Sequence, residues 1–382
     1  MRSKKILTLV LIALTVGILF LAALMAASAL PPRDLTAYWA AAHLVRQNPY
    51  SPQLVAELEK ANGILIPVRP LLLRNPPWAI PFILPLGMLS YRVGFALWAV
   101  FSLIVVVGCA GAVWKLTGIP ESIVSILLPL LFGPTIVLLE LGQWAVLVLL
   151  GITGFLVAIE KRKDWIAGAF LLLVMGKPHV ALLFLIAVAI WTVHARRWAV
   201  LYSAALAMAV ACTGMLAINP HIFGQFLERI QQVVDLEVLC PNLGGMLYLA
   251  TGIHALAILP PALGVLWLLF YWSRHRDSWD WKTDGMLVLV CSIACSYYSY
   301  PYDEVVALPA LISAFALGNR RAFVLAFVFT DIGYALYLSN IAGRFGYGFM
   351  FLWWTGLGWL AAYLLAQTPF LKATHGEETE LA

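Results

Sequence analysis

Residues 90–114 read SYRVGFALWAVFSLIVVVGCAGAVW, twenty-five positions in which Arg92 is the only charge. A helix needs about 20 apolar residues to cross the hydrocarbon of a bilayer, so this run is long enough to span one. Outward from it, comparable runs recur at roughly 6–28, 121–139, 143–159, 165–176, 178–195, 197–217, 250–272, 284–300, 302–317, 322–340 and 347–367. With 90–114 they make about twelve helical segments. The run at 165–176 is too short to cross unless it is tilted or lined by protein. Composition agrees: 63% of the 382 residues are hydrophobic, 11% are charged, and the mean hydropathy is +0.91, outside the range of soluble domains. The chain reads as an all-α polytopic membrane protein, one integral domain over 1–370 followed by a polar tail at 371–382.

Positive charge orients the bundle, because short loops retain Lys and Arg on the cytoplasmic side. With the N-terminus inside, Lys161-Arg162-Lys163, Arg196-Arg197, Arg274 with Arg276 and Lys282, and Arg320-Arg321 all fall on the cytoplasmic face, and so does the tail from Lys372. The net charge of +5 follows from this topology, and no nucleic-acid partner is needed to explain it. Met1-Arg2-Ser3-Lys4-Lys5 precede the first segment as in a signal peptide, and Ala26-Ala27-Ser28-Ala29 offers a cleavage site. The apolar run is nevertheless too long for such a peptide, so the segment reads as an uncleaved anchor in the plasma membrane.

The opposite, extracytoplasmic face carries the long loops, at roughly 29–89 and 218–249, where carboxylates, Pro, Asn and aromatics collect. Function is expected there. In the first loop, 35–46 and 51–61 have the apolar spacing of short interfacial helices, separated by Asn48-Pro49-Tyr50. Pro67, Pro70, Pro76 and Pro77 are expected to keep the rest extended up to the span at 90. Of the five cysteines only Cys240 lies on the outer side, so no external disulfide within the chain is expected.

Several polar residues stand out against this apolar background. Asp34 opens the first loop helix with Tyr38 and Trp39 beside it, either as chemistry at the membrane surface or as an N-cap. Lys177 sits in the Gly176-Lys177-Pro178 break between two apolar segments, followed by His179. A cation at such depth faces a cavity or a partner, or snorkels from a helix end. Asp303 and Glu304 follow Pro301 at the outer end of a late segment, and Glu140 and Gln143 flank an outward turn. Asp331, in the middle of a span, marks either a functional site or a hydrogen bond to a neighbouring helix.

In order along the chain, Asp34 with Tyr38, Asn48-Pro49-Tyr50, Asn75-Pro76-Pro77-Trp78 and Leu84-Pro85-Leu86 are similar to the first-loop pattern of glycosyltransferase family 87, membrane enzymes of the GT-C superfamily. Gly142-Gln143, Ala167-Gly168, Lys177-Pro178 and Tyr300-Pro301-Tyr302-Asp303 with Val305, Val306 and Pro309 resemble its later motifs. Two positions depart from the pattern. Asn75 stands where the family often has an aromatic residue, and the late motif lacks the histidine of the mannosyltransferase branch.

The resemblance implies a GT-C bundle with its active site in the 29–89 loop. It also implies transfer of a sugar, a hexose such as mannose or a pentose, from a polyprenyl-phosphate donor to a glycolipid or envelope-glycan acceptor. Lipid phosphate is a leaving group that needs little protonation, so one carboxylate base and a few cations suffice, unlike the acid–base pair of glycoside hydrolysis. Asp34 takes the position of the family's catalytic aspartate. Lys177, Arg74 and Arg69 are candidates for the donor phosphate, and Tyr38, Trp39, Tyr50, Trp78, Gln143, His179, Tyr302, Asp303 and Glu304 for sugar or acceptor. The carboxylates could also hold Mg²⁺ or Mn²⁺. No nucleotide cofactor is expected, since no Gly-rich phosphate loop faces the cytoplasm. A transporter or flippase of lipid-linked sugars is the rival reading, for which an internal inverted repeat would be evidence.

Overall fold

The computed structural model describes residues 17–25, 34–64, 70–120, 122–231, 240–339 and 348–367. Arg69, the polar tail and most of the anchor segment lie outside the described residues. All regular structure in the described residues is helical. After a helical stretch at 17–25, the α-helices are α1 Leu35–His43, α2 Pro52–Ala61, α3 Tyr91–Leu116, α4 Val124–Leu131, α5 Gly133–Leu141, α6 Ala145–Glu160, α7 Asp164–Val174 and α8 Leu182–His194. They continue as α9 Trp198–Ile218, α10 Ile222–Gln231, α11 Leu243–Thr251, α12 Leu259–His275, α13 Asp284–Ala294, α14 Leu308–Leu317, α15 Arg320–Leu338 and α16 Thr355–Ala366.

Among the described residues, five helical stretches are long and apolar enough to cross a membrane: Tyr91–Leu116, Trp198–Ile218, His254–Ser278, Arg320–Leu338 and Gly348–Ala366. The chain is therefore a multi-pass membrane protein. α3 is the quoted sequence, and it stops where Gly118 turns left-handed at φ +72° and Pro120 follows. The outward faces of the long helices are apolar: on α15, Leu325 is 74% and Phe329 69% exposed. One turn apart, they make a stripe suited to lipid.

The expected segment at 121–139 is instead two helices, α4 and α5, bent by 61°. Pro134 fixes the first turn of α5, Phe132 is extended, and the carboxylate of Asp331 on α15 accepts from the N–H of Gly133 at 2.7 Å. Asp331 thus makes the hydrogen bond to a neighbouring helix and closes the open end of a broken one.

α6, α7, α8 and α13 are shorter than a bilayer and pack against neighbours. α7 is tolerable at this length because α6 and α9 both pack against it. At Gly168 even a methyl group would lie 2.1 Å from the carbonyl oxygen of Val200 on α9.

The proline-rich connection is not extended to its end. Pro77–Phe82 and Leu84–Met88 form 3₁₀ turns, because proline at a first helical position presets φ and withholds only an N–H that has no partner there anyway. The second long loop also holds structure, in α10 and in α11, where Asn242 accepts from the N–H of Gly245 at 2.8 Å. The late segment at 302–317 begins as a 3₁₀ turn, Pro301–Ala307, before α14.

The bundle has two chemically distinct ends. At one, Lys282 pairs with Glu160 at 2.9 Å, Arg197 pairs with Asp164, the N–H of Asn319 donates to the carbonyl of Ala366 at 2.7 Å, and the Tyr363 hydroxyl donates to the carbonyl of Thr283. The basic clusters of four separate loops therefore gather together. At the other end, Asn219 donates to the carbonyls of Val45 and Gln47, and Asn242 to that of Tyr297. That end carries the first loop.

Candidate functional site

Asp34 sits at the start of α1, partly exposed, and its carboxylate makes no capping bond to its own helix. Its Oδ2 accepts instead from Nε2 of Gln143 at 2.5 Å. Gln143 Oε1 in turn accepts from the hydroxyl of Tyr38, one turn along α1, at 3.0 Å. That hydroxyl also accepts from the N–H of Trp144 at 3.4 Å. Burial, reinforced by the Asp34 and Asp303 carboxylates, holds the Tyr38 phenol above its usual range, so it remains a donor.

Backbone geometry fixes this arrangement. Between α5 and α6, Gly142 is left-handed at φ +70°, and a Cβ there would lie 2.8 Å from the Cβ of Leu35. Only glycine lets the turn lie against the residue that follows Asp34.

The second half of the site is the break between α7 and α8. Lys177 Nζ lies 2.6 Å from Asp303 Oδ1, with the side chains 10% and 0% exposed. The ammonium also stands 4.9 Å from the ring centroid of Tyr302. Asp303 Oδ2 accepts from the N–H of Tyr300 at 3.1 Å, which ties the carboxylate to the start of the 301–307 turn. That turn packs on α5 and α6, the two helices that flank Gln143. Asp34 and Asp303 both act electrostatically on Tyr38 and on Tyr302, so the two halves form one polar region in an apolar bundle.

First-loop residues hold the open helix end in place. Asn75 Nδ2 donates to the carbonyl of Gly176 and Trp78 Nε1 to that of Met175, each at 2.9 Å. Tyr50 donates to the carbonyl of Asn75 at 3.0 Å. Gly176 is needed beneath them, since a Cβ would lie 2.7 Å from Nε1 of Trp144.

The remaining candidates spread outward from this region. Trp39 donates to the carbonyl of Leu89 at 2.9 Å and packs between His43 and Tyr91, anchoring α1. Arg74 hydrogen-bonds the hydroxyl of Tyr298, and the ring of His179 meets that tyrosine edge-on, centroids 5.1 Å apart. Glu304 accepts from Tyr334 and Trp359 at 2.6 Å and from Thr355 at 2.8 Å, so its carboxylate is committed to α15 and α16. Asp303 is likewise engaged by Lys177, and among the described residues no three His, Cys, Asp or Glu side chains converge to hold a metal ion. The carboxylates considered for Mg²⁺ or Mn²⁺ do not make a cage for one.

The family model for glycosyltransferase family 87 matches residues 74–296, more than half of the chain. The chain belongs to glycosyltransferase family 87. Membership places it in the GT-C superfamily and makes it a membrane glycosyltransferase acting between a sugar donor and an acceptor. The matched span takes in Asn75, Trp78, Gln143, Lys177 and His179, while Asp34 and Asp303 lie outside it. A search of curated proteins and a search of solved structures each returned no match.

Two residues of this candidate site were not singled out from the sequence as site residues: Asn75 and Tyr298. Asn75 reads as a departure from an aromatic pattern, yet its carboxamide is what satisfies the Gly176 carbonyl. Position before a Pro-Pro pair, which forces an extended backbone, was the available signal.

Proposed function

We propose that the protein transfers a hexose from a polyprenyl-phosphate donor to a lipid or cell-envelope glycan acceptor at the extracytoplasmic face of the plasma membrane, with Asp34 as general base. The observation that carries this reading is the hydrogen bond from Gln143 to the carboxylate of Asp34, in one polar region with the buried cation Lys177. In the reaction the acceptor oxygen forms a bond to the anomeric carbon as that carbon's bond to the phosphate oxygen breaks. The acceptor's proton passes to Asp34, and polyprenyl phosphate leaves with the electron pair.

Lys177 and Arg74 supply positive charge for that phosphate. Lys177 rests on Asp303, so an incoming phosphate competes for the ammonium and releases Asp303 to accept from a sugar or acceptor hydroxyl. Tyr302, stacked on Tyr300 at 5.5 Å, supplies an aromatic face to the same region. Apolar helices around the polar region suit a prenyl chain arriving through the bilayer.

Sugar transfer by purified protein reconstituted in vesicles, with a panel of labelled polyprenyl-phosphate sugars and lipid acceptors, tests the reading. Wild-type transfer that vanishes in a folded Asp34→Asn is the expected outcome. Undiminished transfer by that variant removes Asp34 from the mechanism. Movement of labelled lipid across the bilayer with no transfer would replace the enzyme with a transporter.

A further inference from the structure

Gln143 is a candidate substrate contact by its place in the sequence. Its geometry gives it a different task. Both ends of its carboxamide are occupied by protein: Nε2 donates to Asp34 at 2.5 Å and Oε1 accepts from Tyr38 at 3.0 Å. The side chain is 4% exposed, which leaves little surface for a sugar. Because an ionised carboxylate can only accept, the amide is oriented with its N–H₂ toward Asp34, which leaves Oε1 to accept from Tyr38.

The orientation is braced on every side. Tyr38 is fixed by the N–H of Trp144, the residue after Gln143, and its ring lies 6.2 Å from the indole of Trp144 and 6.3 Å from that of Trp98. Gln143 itself follows the left-handed Gly142, which has Leu35 against it. Among the described residues, the titratable groups placed beside this carboxylate are Tyr38 on its own helix and Tyr302 on the 301–307 turn, and Asp303, paired to Lys177, acts on the same two tyrosines.

We propose that Tyr38 and Gln143 form a positioning relay for the base of the sugar transfer, in which the hydroxyl of Tyr38 sets the amide of Gln143 and that amide holds one oxygen of Asp34. This rests on the reading of Asp34 as base. An amide N–H donated to a carboxylate favours the charged form, so the relay keeps the base deprotonated at lower pH than Asp34 would manage without it. It also fixes the direction of proton transfer, which a carboxylate free to rotate would not do.

Three variants separate the relay from simple packing. Gln143→Glu keeps the shape and the acceptor for Tyr38 but removes the donor to Asp34 and sets a like charge beside it. Gln143→Leu removes both bonds, and Tyr38→Phe removes only the outer one. Reconstituted transfer is followed against pH, with kcat and KM for the polyprenyl-phosphate sugar separated, and Asp34→Asn runs beside them.

The relay predicts that kcat falls about ten- to a hundredfold in Gln143→Glu and Gln143→Leu while KM stays within about twofold. It also predicts that the acid limb of the rate profile moves to higher pH in both, and by a smaller step in Tyr38→Phe. A rise in KM with the acid limb unmoved makes Gln143 a substrate contact and overturns the relay. So does an unchanged rate in a folded Gln143→Leu. If Asp34→Asn itself keeps wild-type transfer, the base assignment has failed, and that result is distinct from a failure of the relay.

Discussion

Replacing Lys177 with methionine gives the sharpest test of how the buried pair divides its work between stability and chemistry. The substitution removes the ammonium 2.6 Å from Asp303 and leaves a carboxylate with 0% exposure facing the N–H of Tyr300. Removing one member of a buried pair costs about 3–5 kcal/mol, since the remaining charge keeps its desolvation cost without its partner. Neither side chain here has the solvent exposure that would discount that figure. Replacing both with apolar residues of similar volume, Lys177→Met with Asp303→Leu, removes the uncompensated charge, and such exchanges are commonly neutral or stabilising by about 1–4 kcal/mol. The assay is unfolding of the purified variants in detergent followed by tryptophan fluorescence, with sugar transfer measured on the same preparations. Lys177→Met should be strongly destabilised and inactive, and the double variant should recover stability without recovering transfer. Transfer restored together with stability in the double variant would refute a phosphate role for Lys177. A loss below about 1 kcal/mol in Lys177→Met would refute the geometry of the pair itself.

Gly142→Ala should destabilise the protein by more than the roughly 1–2 kcal/mol of a left-handed alanine, because the new methyl also meets Leu35 at 2.8 Å. Thermal unfolding of Gly142→Ala and of Gly142→Ala with Leu35→Ala reads the two parts, since the second change relieves only the contact. Glu59 on α2 offers a pH test: it is 3% exposed, burial holds its carboxyl above the usual range, and the N–H of Leu71 at 3.2 Å offsets this only in part. The folded chain therefore binds more protons than the unfolded chain between the ordinary and the raised pKa, and stability falls as pH rises through the raised value. Glu59→Gln should be more stable than wild type at neutral pH, with the gain gone below the ordinary glutamate value of about 4.3. A stability difference that does not change with pH would remove Glu59 as its source.

Much of the architecture was legible because the lipid requirement is a simple rule of length and apolarity. α3, α6, α9 and α15 fall close to the runs that mark them, and the helices expected at 35–46 and 51–61 appear as α1 and α2. The 61° bend at Phe132 was harder to read, although Pro129 and Pro134 were visible. What makes the bend stable is Asp331, nearly 200 positions away, and no local pattern names such a partner. Asp34, Gln143, Lys177 and Asp303 were likewise visible as polar residues at helix breaks. Their pairing was not, because a hydrogen bond between α1 and the α5–α6 turn depends on Gly142 lying against Leu35. Glu304 reads from sequence as the equal of its neighbour Asp303. Only the packing of Tyr334, Thr355 and Trp359 around it separates the two.

A broken helix in an apolar bundle exposes backbone groups that no water is at hand to satisfy, so every break must import donors or acceptors from elsewhere in the chain. The break after α7 imports them from the first loop: Asn75 covers the carbonyl of Gly176, and Trp78 covers that of Met175. The same loop begins with α1, so the bonds that satisfy the break also bring Asp34 into one polar region with Lys177 and Asp303. The turn between α5 and α6 does the matching job from the other side, with Trp144 giving its N–H to Tyr38 while Gln143 holds Asp34. Backbone satisfaction and site assembly are thus achieved by the same contacts. Pro76 and Pro77 are part of the site's construction, since the backbone they constrain carries Asn75 and Trp78 to the break.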